Sequence, residues 1–239
     1  MASTKNFKRV FVWEIPVRLF HWLNALSIVV LAITGFIIAN PPAIMTSLEA
    51  SESYWFGTLR FIHFAAAYAF VIVMILRIYW SFVGNKYAHW KEFFPFNKVA
   101  RDKFIHVIKS DIILLNDDED DYNNISVGHN SVAAFSYLAM FIMAIIMLVT
   151  GFGLYAPMAT WWFPKLFSWV VPFFGGDFII RTIHHITMWT FILFTMVHVY
   201  LVFYHDWLEG RGEVSSMFGG YKFVRRERVK KTKKNKKTK

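Results

Sequence analysis

The chain contains no cysteine. Iron–sulfur clusters, thiolate metal sites and thiol catalysis are therefore outside what it can do by itself. The absence is neutral on compartment, because a chain without thiols carries no redox signature. Charge is also scarce: Asp, Glu, Lys and Arg make up 18% of the 239 residues, and long stretches hold almost none. The seven prolines stay out of those stretches, so nothing in them breaks a helix. A cleavable leader is not evident. The segment before Phe20 carries Lys5, Lys8, Arg9 and Arg18, but no short apolar region followed by a small-residue cleavage site. The first apolar block is expected to be retained.

What the chain has in excess is apolar sequence, 56% of all residues, gathered into four blocks. They cover residues 20–39, 59–83, 131–154 and 178–204. The first stops at Asn40-Pro41-Pro42 and the second at Gly84-Asn85. Each is long enough to cross roughly 30 Å of hydrocarbon at about 1.5 Å per residue. Arg60, Arg77 and Arg181 sit near block ends, where a long side chain can snorkel. Backbone groups in hydrocarbon must be satisfied internally, so these spans are helices. The expected fold is all-α, a four-helix transmembrane bundle over residues 1–210, followed by a basic tail over 211–239.

Lys and Arg distribution orients the bundle. Of 26, 22 lie in the N-terminal segment, in the loop from Gly84 to Asn130, or after Tyr204. The positive-inside rule then puts both termini and the middle loop in the cytoplasm, as expected for a multi-pass protein of a bacterial inner membrane. The net charge of +10 is mostly this signal. A solvated tail near anionic lipid explains it more simply than nucleic-acid binding. The middle loop holds an acidic run at residues 117–121, which reads as a solvated face. The segment 155–176 is dense in aromatics, including Trp161, Trp162, Trp169 and Phe173, and is broken by Pro157, Pro164 and Pro172. It is expected to form an interfacial helix at headgroup level, with a partner's docking surface as the sharper reading.

Nine histidines are present. His89, His106, His129 and His205 fall in loops or at helix ends and receive no cofactor role. His21, His63, His184, His185 and His198 lie inside apolar spans. An ionisable side chain there is costly without a partner and is a functional candidate, although a neutral imidazole bonded to a neighbouring helix explains a single example. Depth divides the five. With the first span starting inside, His21 is near the inner surface and His198 matches it, whereas His63 and His184 are near the outer surface. Phase selects between the adjacent pair. His184 and His198 are 14 residues apart, about 1400° of helix, some 40° short of four turns, and about 21 Å of rise. His185 is out of phase with His198 by about 140°.

Two imidazoles per level, with no cysteine or acid beside them, suit the axial positions of haem iron. Zinc normally takes three or four ligands. The expected metal ligands are therefore His63 with His184, and His21 with His198, holding haem between helices. Filling both axial positions favours electron transfer over oxygen chemistry. A weak internal echo accompanies them: Ile33-Thr34-Gly35-Phe36 and Val149-Thr150-Gly151-Phe152 occupy similar depths in spans one and three. Small residues there let a helix or a flat cofactor approach, and helix packing alone is the commoner reason.

Several motifs carry a family resemblance. They are Pro16-Val17-Arg18-Leu19-Phe20-His21-Trp22, Leu59-Arg60-Phe61-Ile62-His63-Phe64, and Arg77-Ile78-Tyr79-Trp80 followed by Gly84-Asn85. Gly128-His129-Asn130, Thr150-Gly151-Phe152, His184 with Met188-Trp189, and His198-Val199-Tyr200 follow in order. From about residue 10 to 222 the chain resembles the b-type cytochrome subunit of membrane-bound nickel–iron hydrogenases. The resemblance implies haem b, twice, on His21, His63, His184 and His198. It implies a small iron–sulfur subunit and a large nickel–iron subunit as partners outside the membrane, and a quinone as electron acceptor. This chain would be the electron-transfer subunit and not the one that splits hydrogen. Arg60 and Arg181 then become candidates for outer haem propionates, Arg18 for inner ones, and Arg77, Tyr200 and Tyr204 for a quinone site. His185 stands where relatives often have another residue. Two other classes fit the residues: a cytochrome of the same build serving formate dehydrogenase or standing alone, and a transporter or haem-free anchor with a buried polar network.

Overall fold

The computed structural model describes residues 7–42, 54–90, 131–209 and 212–225. The acidic run, His106, His129 and the Lys-rich end lie outside the described residues. Four long helices dominate: α1 (Ile15–Ala39), α2 (Trp55–Val83), α3 (Ser131–Tyr155) and α6 (Asp177–Glu209). Between α3 and α6 lie a short 3-10 turn and the four-residue helices α4 (Trp162–Lys165) and α5 (Val170–Phe173). A last helix, α7 (Glu213–Gly219), precedes strand β2 (Tyr221–Arg225), which pairs antiparallel with β1 (Phe7–Phe11).

Local chemistry explains the ends. Pro16 sits in the first turn of α1, where no backbone N–H is needed. Pro41 and Pro42 prevent its continuation. After α2, the Asn85 side-chain oxygen accepts from the backbone N–H groups of Tyr87 (2.9 Å) and Ala88 (3.1 Å) and turns the chain. Helix α6 starts on Asp177, whose carboxylate suits the positive helix end and takes Arg181 Nε at 3.0 Å.

All four long helices contain apolar spans of membrane-crossing length, at Ile15–Ala39, Trp55–Val83, Ser136–Met158 and Asp177–Tyr204. The first two start earlier than the apolar blocks at 20 and 59 suggested, because the helical backbone runs back through Arg18 to Ile15 in α1 and through Thr58 to Trp55 in α2. Large apolar side chains such as Phe61, Leu193 and Met196 are exposed, as they should be where lipid is the solvent.

The chain forms two compact units. One collects the chain ends, residues 1–18, 80–139 and 197–239. Its core is Val12, Trp13, Val17 and Ala88, with Val10, Trp80, Tyr87 and Met217 packed against it. Strand register runs from Phe7 opposite Arg225 to Phe11 opposite Tyr221. Gly220, with φ +81°, closes the turn before β2 and accepts from Val12 N–H (2.8 Å) and Trp13 N–H (3.1 Å). Glu14 accepts from Trp80 Nε1 (2.9 Å) and Asn85 N–H (3.0 Å). Lys222 is buried and pairs with Glu213 at 2.6 Å. Residues 212–225, assigned to the tail on sequence, are thus folded, and the sheet is an element that the four apolar blocks do not announce. β1 precedes the first long helix and β2 follows the last, so the sheet pairs segments far apart in sequence.

The other unit holds residues 19–79 and 140–196. The aromatic segment is not one interfacial helix. Pro164 and Pro172 lie within the short α4 and α5. Phe163 and Phe167 pack on Phe152 of α3, and Trp161 Nε1 donates to the Tyr68 hydroxyl of α2 at 3.1 Å. Trp162, Trp169 and Phe173 stay exposed.

Candidate histidine site

Helix threonines supply the foundation. In hydrocarbon a hydroxyl proton needs an acceptor, and the carbonyl four residues back provides one. Thr34 Oγ1 donates to Val30 O at 2.6 Å, and Thr150 Oγ1 donates to Ile146 O at 2.6 Å. Both threonines are 5% exposed, so their lone pairs must also find partners inside the protein. Thr34 Oγ1 lies 2.8 Å from His63 Nδ1, and Thr150 Oγ1 lies 2.8 Å from His184 Nδ1.

The neighbouring glycines complete each seat. A β-carbon on Gly35 would stand 3.3 Å from His63 Cε1, and one on Gly151 would stand 3.2 Å from His184 Cε1. Each ring thus rests its Nδ1–Cε1 edge on a Thr-Gly step of another helix: His63 of α2 on α1, and His184 of α6 on α3. The echo noticed in sequence is a repeated structural device.

Proton accounting sets the tautomers. A hydroxyl has one proton, and in each threonine it points to a carbonyl. The hydroxyl oxygen is then the acceptor and the imidazole Nδ1–H the donor. A neutral ring with its proton on Nδ1 keeps a lone pair on Nε2. Both histidines therefore present an unprotonated Nε2 from the edge opposite the Thr-Gly step. Met188, one turn beyond His184 on α6, brings its sulfur to 3.7 Å from the same Gly35 β-position that His63 approaches. Phe36 meets Trp189 edge-on at 5.3 Å. These contacts bring the His63 and His184 neighbourhoods together within one unit.

His185 has different surroundings. Its ring lies 6.4 Å from that of Phe36 and 6.5 Å from that of Trp189. Of the two adjacent imidazoles, His184 is the one seated on a Thr-Gly step. His21 is on α1 in the same unit, edge-on to Trp22 at 5.1 Å. His198 is on α6 in the unit of the chain ends. Near His21, at three-residue spacing along α1, Arg18 Nε and Asn24 Oδ1 are buried with no hydrogen-bond partner among the described residues.

The arginines are engaged by the protein. Arg181 pairs with Asp177. Arg60 donates to the Met158 sulfur and lies 5.9 Å from the Phe64 ring. Arg18 donates through an Nη to the Phe218 carbonyl. Tyr200 and Tyr204 stack with ring centres 5.9 Å apart. Among the described residues no group of three or more His, Asp or Glu is placed to hold a metal ion. The donor set described is two imidazoles, His63 and His184, each seated by its Nδ1 edge, with glycines where the flat rings need room. That chemistry fits the two axial positions of a haem.

Sequence reading singled out the histidines but not the groups that seat them. Thr34, Thr150 and Glu14 were not singled out as functional. The repeated Thr-Gly step was the available signal for the first two.

Comparison with known proteins gives one family model matching residues 12–220, described as prokaryotic cytochrome b561. A probable Ni/Fe-hydrogenase B-type cytochrome subunit of Cupriavidus necator is 40% identical over 93% of this chain and 90% of its own. One of the same description from Azotobacter vinelandii is 38% identical over 92% and 90%. A probable Ni/Fe-hydrogenase 1 B-type cytochrome subunit of Escherichia coli K12 is 33% identical over 92% and 93%.

Proposed function

The chain belongs to the prokaryotic cytochrome b561 family, and from that premise we propose that it is the membrane-anchoring di-haem cytochrome b subunit of a nickel–iron hydrogenase. It passes electrons from the hydrogenase's iron–sulfur small subunit, with its large nickel–iron subunit outside the membrane, to the quinone pool. The observation that carries the proposal is the pair His63 and His184, each with its Nδ1 2.8 Å from the hydroxyl of a threonine on another helix. Relatives described as hydrogenase cytochrome subunits support the donor.

Haem b, when bound, supplies a one-electron iron couple. The chain's residues do the rest. His63 and His184 hold the outer group, and the Thr-Gly steps fix their rings. His21 and His198 hold the inner group, on the helical phase of α6 and the depth of the first span. The buried, unpartnered Arg18 Nε is a donor suited to a propionate of the inner haem. The surrounding apolar helices exclude water from the rings. Both termini face the cytoplasm of a bacterial inner membrane, which the Lys and Arg bias supports.

Reduced-minus-oxidised spectra of single-histidine variants test the reading. His63→Ala and His184→Ala each remove the same b-type signal, and His21→Ala and His198→Ala the other. Retention of every band in His184→Ala, with loss in His185→Ala, overturns the outer pair. Affinity purification tests the donor: a nickel–iron enzyme co-purifies, and recovery of a molybdenum enzyme instead rejects it. A reporter fused after the tail acts as cytoplasmic; periplasmic activity reverses the orientation.

A further inference from the structure

We propose that Thr34 and Thr150 are paired positioning residues that set the electron donation of His63 and His184, and so the potential of the outer haem; this rests on the haem reading above. Among the described residues, other helix threonines bond backward without meeting an imidazole. Thr187, Thr190 and Thr195 donate to the carbonyls of Ile183, Ile186 and Phe191 at 2.8, 3.0 and 2.8 Å. Thr34 and Thr150 do the same at 2.6 Å and also receive an imidazole at 2.8 Å.

The two bonds act in series. A hydroxyl that donates strongly to a carbonyl becomes a better acceptor, because hydrogen bonds in a chain polarise one another. Each imidazole N–H is therefore drawn toward a carbonyl–hydroxyl relay. A proton drawn away from Nδ1 makes Nε2 a stronger donor to a metal, the general effect of an acceptor behind a ligating histidine. Stronger donation stabilises ferric over ferrous iron and lowers the potential. The relay also fixes the tautomer, since the alternative would leave Nδ1 bare against an oxygen with no proton to offer.

The repetition is the strongest support. Two independent helix pairs reach the same four features: the backward bond at 2.6 Å, the imidazole contact at 2.8 Å, a glycine next in sequence, and a ring carbon 3.2–3.3 Å from its β-position. Packing alone requires the glycines. It does not require a buried hydroxyl in front of each, because valine fills the same space without a polar group.

The experiment uses the full-length chain in its purified complex and compares Thr34→Val, Thr150→Val, Thr34→Ser and Thr150→Ser. Readouts are haem per protein by pyridine haemochrome, and the midpoint potential of each haem by optical redox titration. The expected result is an upward shift of one haem's potential in each valine variant, the same haem in both, with the other unmoved. Serine variants restore the wild-type potential. If a valine variant loses that haem, affinity having fallen on the order of 10–100-fold, serine variants that keep it at wild-type potential support the relay. Unchanged potentials in both valine variants, or serine variants that behave like valine, overturn it. Absence of any b-type spectrum in the wild-type complex overturns the haem reading itself and the proposal with it.

Discussion

Replacing Gly151 by alanine tests the seat under His184 without touching any hydrogen-bonding group. The added methyl arrives 3.2 Å from Cε1 and 3.8 Å from Nδ1 of the ring. Comfortable carbon contacts start near 3.5 Å, so the ring must retreat by about 0.3 Å. Its 2.8 Å bond to Thr150 then lengthens past 3 Å, toward the weak end of the N–H···O range. Overpacking of this kind costs about 1–3 kcal/mol. Alanine in a helix interior returns up to about 1 kcal/mol relative to glycine. The net penalty is about 0–2 kcal/mol, too small to unfold a protein with four long helices. The change should instead appear at the metal site, as reduced haem content or a displaced outer-haem potential. Gly57→Ala is the control, because a β-carbon there meets nothing within 4 Å. The assay is haem per protein and midpoint potential in both variants, purified in parallel. Wild-type values for both readouts in Gly151→Ala would refute the seat.

Three further outcomes follow from the same coordinates. Gly153→Ala puts a β-carbon 2.8 Å from the Val170 β-carbon, a clash between two stiff atoms; the 155–176 segment should become more protease-sensitive while the haem spectrum persists, and unchanged digestion would reject the contact. Glu14→Ala removes the acceptor for Trp80 Nε1 and Asn85 N–H and should cost on the order of 2 kcal/mol, read as a lower melting temperature in detergent with Glu14→Gln intermediate. Glu213→Ala leaves the buried Lys222 ammonium without its carboxylate, so it should destabilise by about 3 kcal/mol, whereas Glu213→Ala combined with Lys222→Met should recover most of the loss in the same melt; equal melts for the single and double variants would reject the pairing.

Apolar length made the four long helices legible, because membrane crossing imposes a length that the sequence must meet within a few residues. Helix ends were less legible. Apolar blocks mark where hydrocarbon starts, while the backbone of α1 runs on through Arg18 to Ile15. The β1–β2 pair was not legible at all. Its strands lie at opposite ends of the chain, joined by Gly220 accepting from Val12 and Trp13, and no local turn signal announces so distant a pairing. Glu14 was hidden for the same reason: its partners Trp80 and Asn85 stand in the last turn of the second span and just after it.

The histidines show where helical phase stops being informative. Phase along α6 alone separates His184 from His185, since both neighbours belong to one regular helix. It cannot say what either ring touches, because that depends on which helix stands opposite. In the structure His184 meets Thr150 and Gly151, and His185 meets Phe36 and Trp189. The first environment holds a proton on Nδ1 and clears Nε2; the second offers aromatic faces. A Thr-Gly step has no meaning within its own helix beyond close packing. It gains one only when an imidazole from another helix rests on it, and here that happens twice, with the same atoms at nearly the same distances. Two equal seats, on α1 for His63 and on α3 for His184, support the proposal that both rings serve one iron.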